Sequence, residues 1–226
     1  QLQKKQAIAA YHAMVTMADH HIGRMLKGLE DLGLADSTIV VFTSDHGFQL
    51  DEHGGLWRKQ FQFDESIRVP LIVRLPDGRG AGTVSNRIVE LVDLYPTLIE
   101  LAALPDPEHD LEGSSFVLLL DKPDRPWKSA AFSASRRMAG SSSSNNPLMT
   151  QEGHDGQTIR TARYRYTEWT PLGRPGDILA ELYDLEQDPM EYDNLKNDPT
   201  HAGLLAELSE RLATGWQGEL PPSSGN

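Results

Sequence analysis

The sequence predicts an α/β fold that is followed by a small unit of antiparallel strands and one helix. Apolar side chains recur every three or four positions across residues 8–32, which is the spacing of one helical face. Two short runs of branched apolar residues, 38–43 and 69–75, lack alternation, as strands buried on both faces do. Beyond about Pro105 the pattern changes to alternating apolar and polar positions, which favours antiparallel strands.

The first 105 residues are predicted to form the α/β part, because helix, strand, loop, strand and helix follow one another. Gly33 ends the first helix, whose apolar face is expected to support a sheet. The two strands are expected to be parallel and to need neighbouring strands beyond those of this chain. Asp93 is positioned to cap a second helix, with Pro96 early enough in that helix to be tolerated.

The remaining residues are predicted to form a connecting segment, 106–157, and a small α+β unit, 158–226. Residues 136–156 contain a run of serine and asparagine with few apolar positions, which indicates a mobile or substrate-facing loop. Residues 158–169 alternate as one strand, and residues 181–185 form another before a turn at Asp188-Pro189. The last helix is marked by one apolar face, made of Leu204, Leu205, Leu208, Leu212 and Trp216.

Composition argues against several classes of function. The chain of 226 residues carries a formal net charge of -12 and has no long basic cluster, so a nucleic-acid partner is not expected. No apolar run approaches the roughly 20 residues that cross a bilayer, and residues 1–10 lack the apolar segment of a signal peptide, so no membrane attachment is expected. Cysteine is absent, which excludes a disulfide, a thiolate metal site and a cysteine nucleophile within these residues.

Candidate site residues concentrate in residues 42–59, where the first predicted strand ends. The ligand crevice of an open α/β sheet lies at the carboxyl ends of its strands. There Asp45 and His46 offer a carboxylate and an imidazole to a divalent cation, although Asp45 capping a turn while His46 packs is an equally good interpretation. His53 lies in a glycine-rich turn, where a local hydrogen bond is the simpler alternative to a role at a ligand. Lys59 is either a solvated surface charge or a point charge on an anionic group.

Several motifs together resemble one family. The stretches Ser44-Asp45-His46-Gly47, Glu52-His53-Gly54, Trp57-Arg58-Lys59 and Arg68-Val69-Pro70-Leu71-Ile72 occur in the order found in the second half of type I sulfatases. Later segments agree with the same family, at residues 89–98, 158–161, 164–169 and 181–185. The sequence is therefore identified as similar to the C-terminal portion of a formylglycine-dependent sulfatase, nearest to the iduronate-2-sulfatase-like enzymes.

The resemblance implies an alkaline-phosphatase-like sulfatase fold and a set of site residues. Asp45 and His46 match family positions that complete a divalent cation site, usually for Ca²⁺. Lys59 matches the lysine that binds the sulfate and the bridging oxygen, and His53 matches a position close to the pocket, so both are candidate catalytic residues. Phe48 and Arg160 are placed where further substrate contacts are expected.

One family feature is missing from these residues. The nucleophile of the family is a formylglycine made within a C/S-x-P-x-R motif, and no such motif occurs in this sequence. The formylglycine and further metal ligands are therefore expected on an N-terminal half, and this chain alone is expected to be incomplete and inactive. That half and a sulfated carbohydrate are the expected partners. Because members of the family are usually secreted, periplasmic or lysosomal, the resemblance implies one of these locations.

Two other functions stay open at this point. Phosphonate and phosphate-ester hydrolases of the same superfamily share the Asp-His-Gly edge, so a phosphoryl ester is an alternative substrate. A non-catalytic module that holds an anionic glycan is the third possibility.

Overall fold

The computed structural model describes residues 1–137, 153–174 and 176–222. It begins with a long helix, α1 (Leu2–Asp31), over the predicted helical region. No residue of α1 is buried, although Ile8, Tyr11 and Ile22 on the predicted apolar face are half-buried. Neither α1 nor another helix in the described ranges is both long and apolar enough to cross a bilayer.

A pair of short strands follows, β1 (Val40–Thr43) and β4 (Leu71–Arg74). They pair antiparallel, with Val41 opposite Val73, so the prediction of parallel strands is wrong. The prediction that both faces are buried is also wrong within this chain, because Phe42 is 38% and Ile72 60% exposed. Runs of branched residues indicate that a strand suits burial, but they carry no information on its direction or on what covers it.

The loop between these two strands contains four short elements. β2 (Gln49–Leu50) and β3 (Trp57–Arg58) pair antiparallel, and α2 (Glu52–Gly55) lies between them. α3 (Asp64–Ile67) follows and leads to β4. Leu56, Phe61 and Phe63 of this loop are buried together with Tyr183, which lies near the C-terminus. The loop therefore packs on the C-terminal part of the chain.

The connection to the C-terminal part is built around Asp93. α4 (Leu94–Leu101) begins directly after Asp93, and α5 (Val117–Asp121) follows. The Asp93 side chain does not cap α4, because it accepts hydrogen bonds from the Glu90 N–H (2.9 Å) and the Ser114 N–H (2.7 Å). Lys128 Nζ lies 2.7 Å from Asp93 Oδ1 and 2.8 Å from Glu90 Oε2. A buried ionic contact thus joins this region to the strand that follows.

The C-terminal part is a four-stranded antiparallel sheet with strand order β5-β6-β7-β8. Its strands are β5 (Ala130–Arg137), β6 (His154–Thr161), β7 (Tyr164–Pro171) and β8 (Leu179–Asp184). β5 and the start of β6 lie in the segment that was predicted to be a connection, so Arg136, Arg137 and residues 154–156 are strand rather than loop. The serine- and asparagine-rich run lies outside the described residues.

Residues 158–169 belong to two strands rather than the one predicted. β6 ends at Thr161, β7 begins at Tyr164, and Arg160 lies opposite Arg165 across the turn. Thr161 Oγ1 accepts a hydrogen bond from the Tyr164 N–H (2.9 Å), which closes the turn. The prediction missed this turn because Ala162-Arg163 contains none of the glycine, proline or asparagine residues that usually mark one.

One helix covers this sheet. α6 (Ala202–Thr214) carries four of the five residues of the predicted apolar face, and Leu208 and Leu212 on it are buried. Trp216 lies beyond Gly215, where the helix has ended. The small antiparallel sheet with one helix is therefore confirmed. Removal of the apolar side chains from water stabilises this contact. The buried core comprises Ala130, Ile159, Tyr166, Leu182, Leu208 and Leu212.

Candidate active site

Asp45 and His46 lie in the loop directly after β1, at the carboxyl end of that strand. The Asp45 side chain is 80% and the His46 side chain 30% exposed, and His46 Nε2 lies 3.3 Å from Asp45 Oδ2. His46 Nδ1 lies 2.7 Å from the Gly47 carbonyl oxygen. Because a carbonyl oxygen only accepts, Nδ1 carries the hydrogen and Nε2 presents a lone pair. His46 is thus held in a tautomer that can bind a cation through Nε2.

Lys59 is the third member of this group. Its side chain is exposed, and Nζ contacts His46 Nε2. The ammonium group donates and the Nε2 lone pair accepts. Since the same nitrogen lies beside the Asp45 carboxylate, the three predicted residues Asp45, His46 and Lys59 come together at one point.

Gly47 lets the site loop approach α3 closely. Its N–H donates to the Ser66 carbonyl oxygen at 2.8 Å. A Cβ at this position would lie 2.1 Å from the Glu65 carbonyl oxygen, so no side chain fits. The glycine that follows Asp45-His46 is therefore required by close backbone packing.

Residues 51–58 have an unusual backbone. Contacts on both sides hold Asp51, whose carboxylate accepts from Lys4 Nζ of α1 (2.5 Å) and from Trp57 Nε1 (3.2 Å). Positive φ is costly for residues other than glycine, persists only where the surroundings impose it, and is concentrated at functional sites. Five residues of this stretch have positive φ: Asp51 (93°), His53 (49°), Gly54 (79°), Gly55 (107°) and Arg58 (79°).

His53 is buried in this turn. Its ring stacks on Phe63 with the centroids 3.7 Å apart, and it contacts Tyr192 at 5.1 Å. His53 Nε2 lies 3.2 Å from Glu65 Oε2, and the His53 side chain is 4% exposed. Burial by itself raises the pKa of the Glu65 carboxyl, but the hydrogen bond with His53 and nearby positive charge outweigh it, so that pKa lies below its ordinary value. These contacts support the loop, and a catalytic role for His53 stays a prediction.

The two predicted substrate contacts, Phe48 and Arg160, have other neighbours. Phe48 is half-buried, and its ring centroid lies 5.3 Å from that of Tyr11 on α1. Arg160 lies on β6, where it donates to the Ala162 carbonyl oxygen (3.1 Å) and lies 4.0 Å from Asp64. Burial lowers the pKa of the Arg160 guanidinium, and the Asp64 charge opposes this shift. Both roles stay predictions.

Asp64, Arg165 and Glu191 form a buried ionic cluster that the sequence analysis did not single out. Arg165 of β7 contacts Asp64 at the start of α3 and Glu191 after β8. The Arg165 and Glu191 side chains are 1% and 0% exposed. An arginine next to Tyr166 in a strand whose apolar residues pack into a core is the sequence signal that could have indicated such a partner.

Asp45 and His46 can supply two ligands to a divalent cation. Their carboxylate oxygen and imidazole nitrogen are adjacent and suit such an ion. Ca²⁺ takes about six to eight ligands. Within the described ranges, no group of three or more histidine, aspartate or glutamate side chains is arranged to hold a metal ion. These residues therefore fit a cation as a partial ligand set that further donors must complete.

The sulfatase family model matches residues 1–104, which include Asp45, His46, His53 and Lys59. The similarity extends beyond the matched residues, since mouse iduronate 2-sulfatase is 33% identical over 260 residues that cover 88% of this chain and 45% of that protein. The chain belongs to the sulfatase family.

Two solved structures share the fold with this sulfatase-family chain. One is a relative in complex with its substrate D-glucosamine-2-N,6-O-disulfate, with a TM-score of 0.74 and 31% identity over 90% of this chain and 39% of its own. The other is the phosphonate monoester hydrolase of Agrobacterium radiobacter, with a TM-score of 0.74 and 29% identity over 90% of this chain and 40% of its own. The alkaline-phosphatase-like sulfatase fold is therefore confirmed. The chain spans less than half the length of these relatives and corresponds to a C-terminal portion.

Proposed function

We propose that this chain is part of an enzyme that hydrolyses the sulfate ester of a sulfated carbohydrate. The proposal is carried by the contact of Lys59 Nζ with His46 Nε2, beside the Asp45 carboxylate at the end of β1. An ammonium group next to two potential metal ligands suits an anion such as a sulfate group. Membership of the sulfatase family supports the same reaction.

Lys59 is the residue that we assign to the leaving group. When a sugar sulfate is hydrolysed, the bond between sulfur and the bridging oxygen breaks and negative charge develops on that oxygen. An N–H of Lys59 directed at the bridging oxygen stabilises this charge and can transfer its proton as the alcohol leaves. The contact with His46 Nε2 places the ammonium group directly beside the proposed cation site.

The other parts of the reaction would need groups that this chain lacks. Asp45 and His46 would hold a divalent cation, expected to be Ca²⁺, which when bound withdraws charge from the sulfate oxygens. A formylglycine on the N-terminal half of the fold would supply the nucleophile. Phe48 and Arg160 are retained as proposed substrate contacts, and His53 as a residue close to the pocket.

Release of inorganic sulfate tests the proposal. The protein that joins this chain to the rest of the sulfatase fold is assayed with sulfated sugars, and sulfate is measured by ion chromatography. Lys59→Met keeps the length of the side chain and removes its charge, so kcat is expected to fall about 100–1,000-fold. Lys122→Met, at an exposed lysine after α5, is the matched control and should keep wild-type activity. Unchanged sulfate release by Lys59→Met, or none by the wild type on any sulfated sugar, would contradict the proposal.

Iduronate 2-O-sulfate is the substrate that we propose first. The mouse relative is an iduronate 2-sulfatase, whereas a solved relative has D-glucosamine-2-N,6-O-disulfate as its substrate. Parallel assays with 2-O-sulfated iduronate and 6-O-sulfated glucosamine distinguish the two. A kcat/KM for 2-O-sulfated iduronate that is at least about 10-fold higher than for 6-O-sulfated glucosamine supports the proposal, since pocket contacts readily supply that discrimination. The opposite preference contradicts it.

A phosphoryl ester is the second candidate substrate. The phosphonate monoester hydrolase superimposes on this chain with the same TM-score, 0.74, as the glucosamine-disulfate complex. Phenyl phosphonate monoesters and phenyl sulfate share a leaving group, so their kcat/KM values compare attack at phosphorus with attack at sulfur directly. A higher kcat/KM for the phosphonate would transfer the assignment to that reaction.

We also infer that the whole protein works in a secreted, periplasmic or lysosomal setting, because its proposed substrates are sulfated carbohydrates outside the cytosol. Fractionation of the producing cells followed by sulfatase assay tests this, and activity confined to the cytosol would contradict it.

A further inference from the structure

The buried ionic cluster of Asp64, Arg165 and Glu191 joins the site loop to the C-terminal sheet. Arg165 Nη2 contacts Asp64 Oδ1, and Arg165 Nε contacts Glu191 Oε1. Glu191 Oε2 accepts a hydrogen bond from the Asp64 N–H at 2.8 Å. Asp64 is therefore held through both its side chain and its backbone.

The residues between Lys59 and this cluster are also held against the C-terminal sheet. Phe61, Gln62 and Phe63 are 8%, 2% and 5% exposed. Gln62 Nε2 donates to Ser135 Oγ of β5 at 3.0 Å. On its other side, Lys59 directly follows β3, which pairs with β2. The backbone of Lys59 thus depends on where the cluster fixes Asp64.

The same segment contacts the loop of His46, the partner of Lys59. The Ser66 carbonyl oxygen accepts a hydrogen bond from the Gly47 N–H (2.8 Å). The Glu65 carbonyl oxygen lies only 2.1 Å from the position of a Cβ on Gly47. A displacement of Asp64 would therefore move α3 against Gly47 and change how Lys59 Nζ meets His46 Nε2.

The cluster is a costly way to join two surfaces. Arg165 and Glu191 are almost fully removed from water, and Arg165 Nη1 is buried without a hydrogen-bond partner. Burial raises the pKa of the Glu191 carboxyl, and the Arg165 charge and the Asp64 N–H reverse only part of that rise. Well-packed apolar residues often join such surfaces at lower cost, and buried ionic groups can instead specify one geometry.

Backbone strain is concentrated in the same two places, the loop that leads to Lys59 and the ionic cluster. Four of the five strained positions lie in the loop that leads to Lys59 or in the cluster that holds it. Strain of this kind persists where contacts over-determine the backbone, and it concentrates at functional sites. The described residues other than glycine with positive φ are Asp51, His53, Arg58, Ala103 and Glu191.

We propose that Arg165 and Glu191 are positioning residues for Lys59, which through Asp64 set the direction of its ammonium group toward the bridging oxygen of the sulfate ester. This inference rests on the role proposed above for Lys59. The C-terminal sheet then contributes to the reaction although none of its residues contacts the reacting atoms.

Leaving-group basicity separates this role from simple stabilisation. A sugar alkoxide is a poor leaving group and depends on the charge of Lys59, whereas 4-nitrophenolate leaves with little assistance. A misplaced ammonium group therefore slows hydrolysis of a sugar sulfate much more than that of 4-nitrophenyl sulfate. A loss of folded protein lowers both rates by the same factor.

The whole enzyme carrying Arg165→Lys or Glu191→Gln is assayed with both substrates, at a temperature where circular dichroism shows each variant folded. We expect kcat for the sugar sulfate to fall about 10–100-fold, as a small misplacement of a catalytic group does. Its KM and the kcat for 4-nitrophenyl sulfate should change far less. Arg163→Lys, which alters the ion pair with Asp184 at the neighbouring turn, is the matched control and should leave the ratio of the two rates unchanged.

Lys59→Met in the same assays separates failure of this inference from failure of the proposed function. If Lys59→Met slows the sugar sulfate selectively but the cluster variants slow both substrates equally or neither, the positioning role is overturned. If Lys59→Met itself shows no selectivity, the role proposed for Lys59 is wrong, and the inference with it. Should Arg165→Lys not fold, Glu191→Gln, which nearly keeps the native shape, decides alone. If neither folds, the cluster is purely structural and the proposal is overturned.

Discussion

Gly47 shows at the scale of a single residue how closely the site loop and α3 are packed. A methyl group there would lie 2.1 Å from the Glu65 carbonyl oxygen, a backbone atom that cannot rotate away. Gly47→Ala is therefore expected to lower the free energy of unfolding by at least about 1–3 kcal/mol. Chemical denaturation measures this, with Gly203→Ala of α6 as the control, because a Cβ there meets no atom within 4 Å. Equal stabilities of Gly47→Ala and the wild type would show that the contact is not as close as described.

Residue types alone were enough to find Asp45, His46 and Lys59 as candidates, because carboxylate, imidazole and ammonium groups carry recognisable chemistry. They did not show that Lys59 reaches His46, since that contact requires the intervening loop to return on itself. Burial of His53 against Phe63 was equally invisible, because a histidine in a glycine-rich turn is compatible with an exposed or a buried ring.

At the scale of elements, α6 and the C-terminal sheet stabilise each other through one core. Leu208 is 1% exposed there. Leu208→Ala is expected to lower the free energy of unfolding by roughly 2–5 kcal/mol, the usual cost of removing a buried leucine side chain. Leu220→Ala is the control, because Leu220 is 44% exposed. A loss of less than about 0.5 kcal/mol for Leu208→Ala, the range of surface substitutions, would argue against this core.

The ion pair between Arg163, in the turn from β6 to β7, and Asp184 of β8 makes stability depend on pH. Arg163 Nη2 lies 2.7 Å from Asp184 Oδ2, and hydrogen bonds from Arg163 hold the pKa of the Asp184 carboxyl below its ordinary value of 3.8. A carboxyl with a lowered folded-state pKa stabilises the fold fully above its unfolded-state value, and this contribution is lost as the pH falls through the folded-state value. The free energy of unfolding, measured with urea, should therefore fall less steeply between pH 5 and 2 in Asp184→Asn than in the wild type. The difference in slope should correspond to about one proton fewer taken up on unfolding. If the free energies of unfolding of Asp184→Asn and the wild type fell with the same slope as the pH is lowered, this linkage would be excluded.

The elements themselves could be predicted where one local period ran uninterrupted, as in α1 and α6. The hairpin at residues 162–163 could not, because its turn residues are ordinary and the alternation continues through it. Arg165 reads as a polar position of an alternating strand, yet it is buried, since its partners Asp64 and Glu191 come from distant segments.

For the whole molecule, the open apolar surface is the feature that requires a partner. α1 has no buried residue, and Met14 and Met25 on it are 61% and 72% exposed. If the N-terminal half of the sulfatase fold covers this surface, amide hydrogen exchange in α1 should be at least about 10-fold slower in the whole protein than in this chain, because local opening then requires more apolar surface to be exposed. The amides of α6, which is already covered, are the internal control. Equal exchange in α1 in both proteins would mean that the N-terminal half does not cover α1.

The sequence by itself determined the types and approximate positions of most elements, the sulfatase resemblance and the residues that carry candidate chemistry. These depend on short-range periodicity and on side-chain chemistry, which neighbouring positions display directly. Only the tertiary structure decided the antiparallel pairing of β1 with β4, the contact of Lys59 with His46 and the burial of Arg165 against Asp64 and Glu191. Each of these joins segments that are far apart in the chain, and the free energy of such contacts depends on burial and geometry that no local pattern contains.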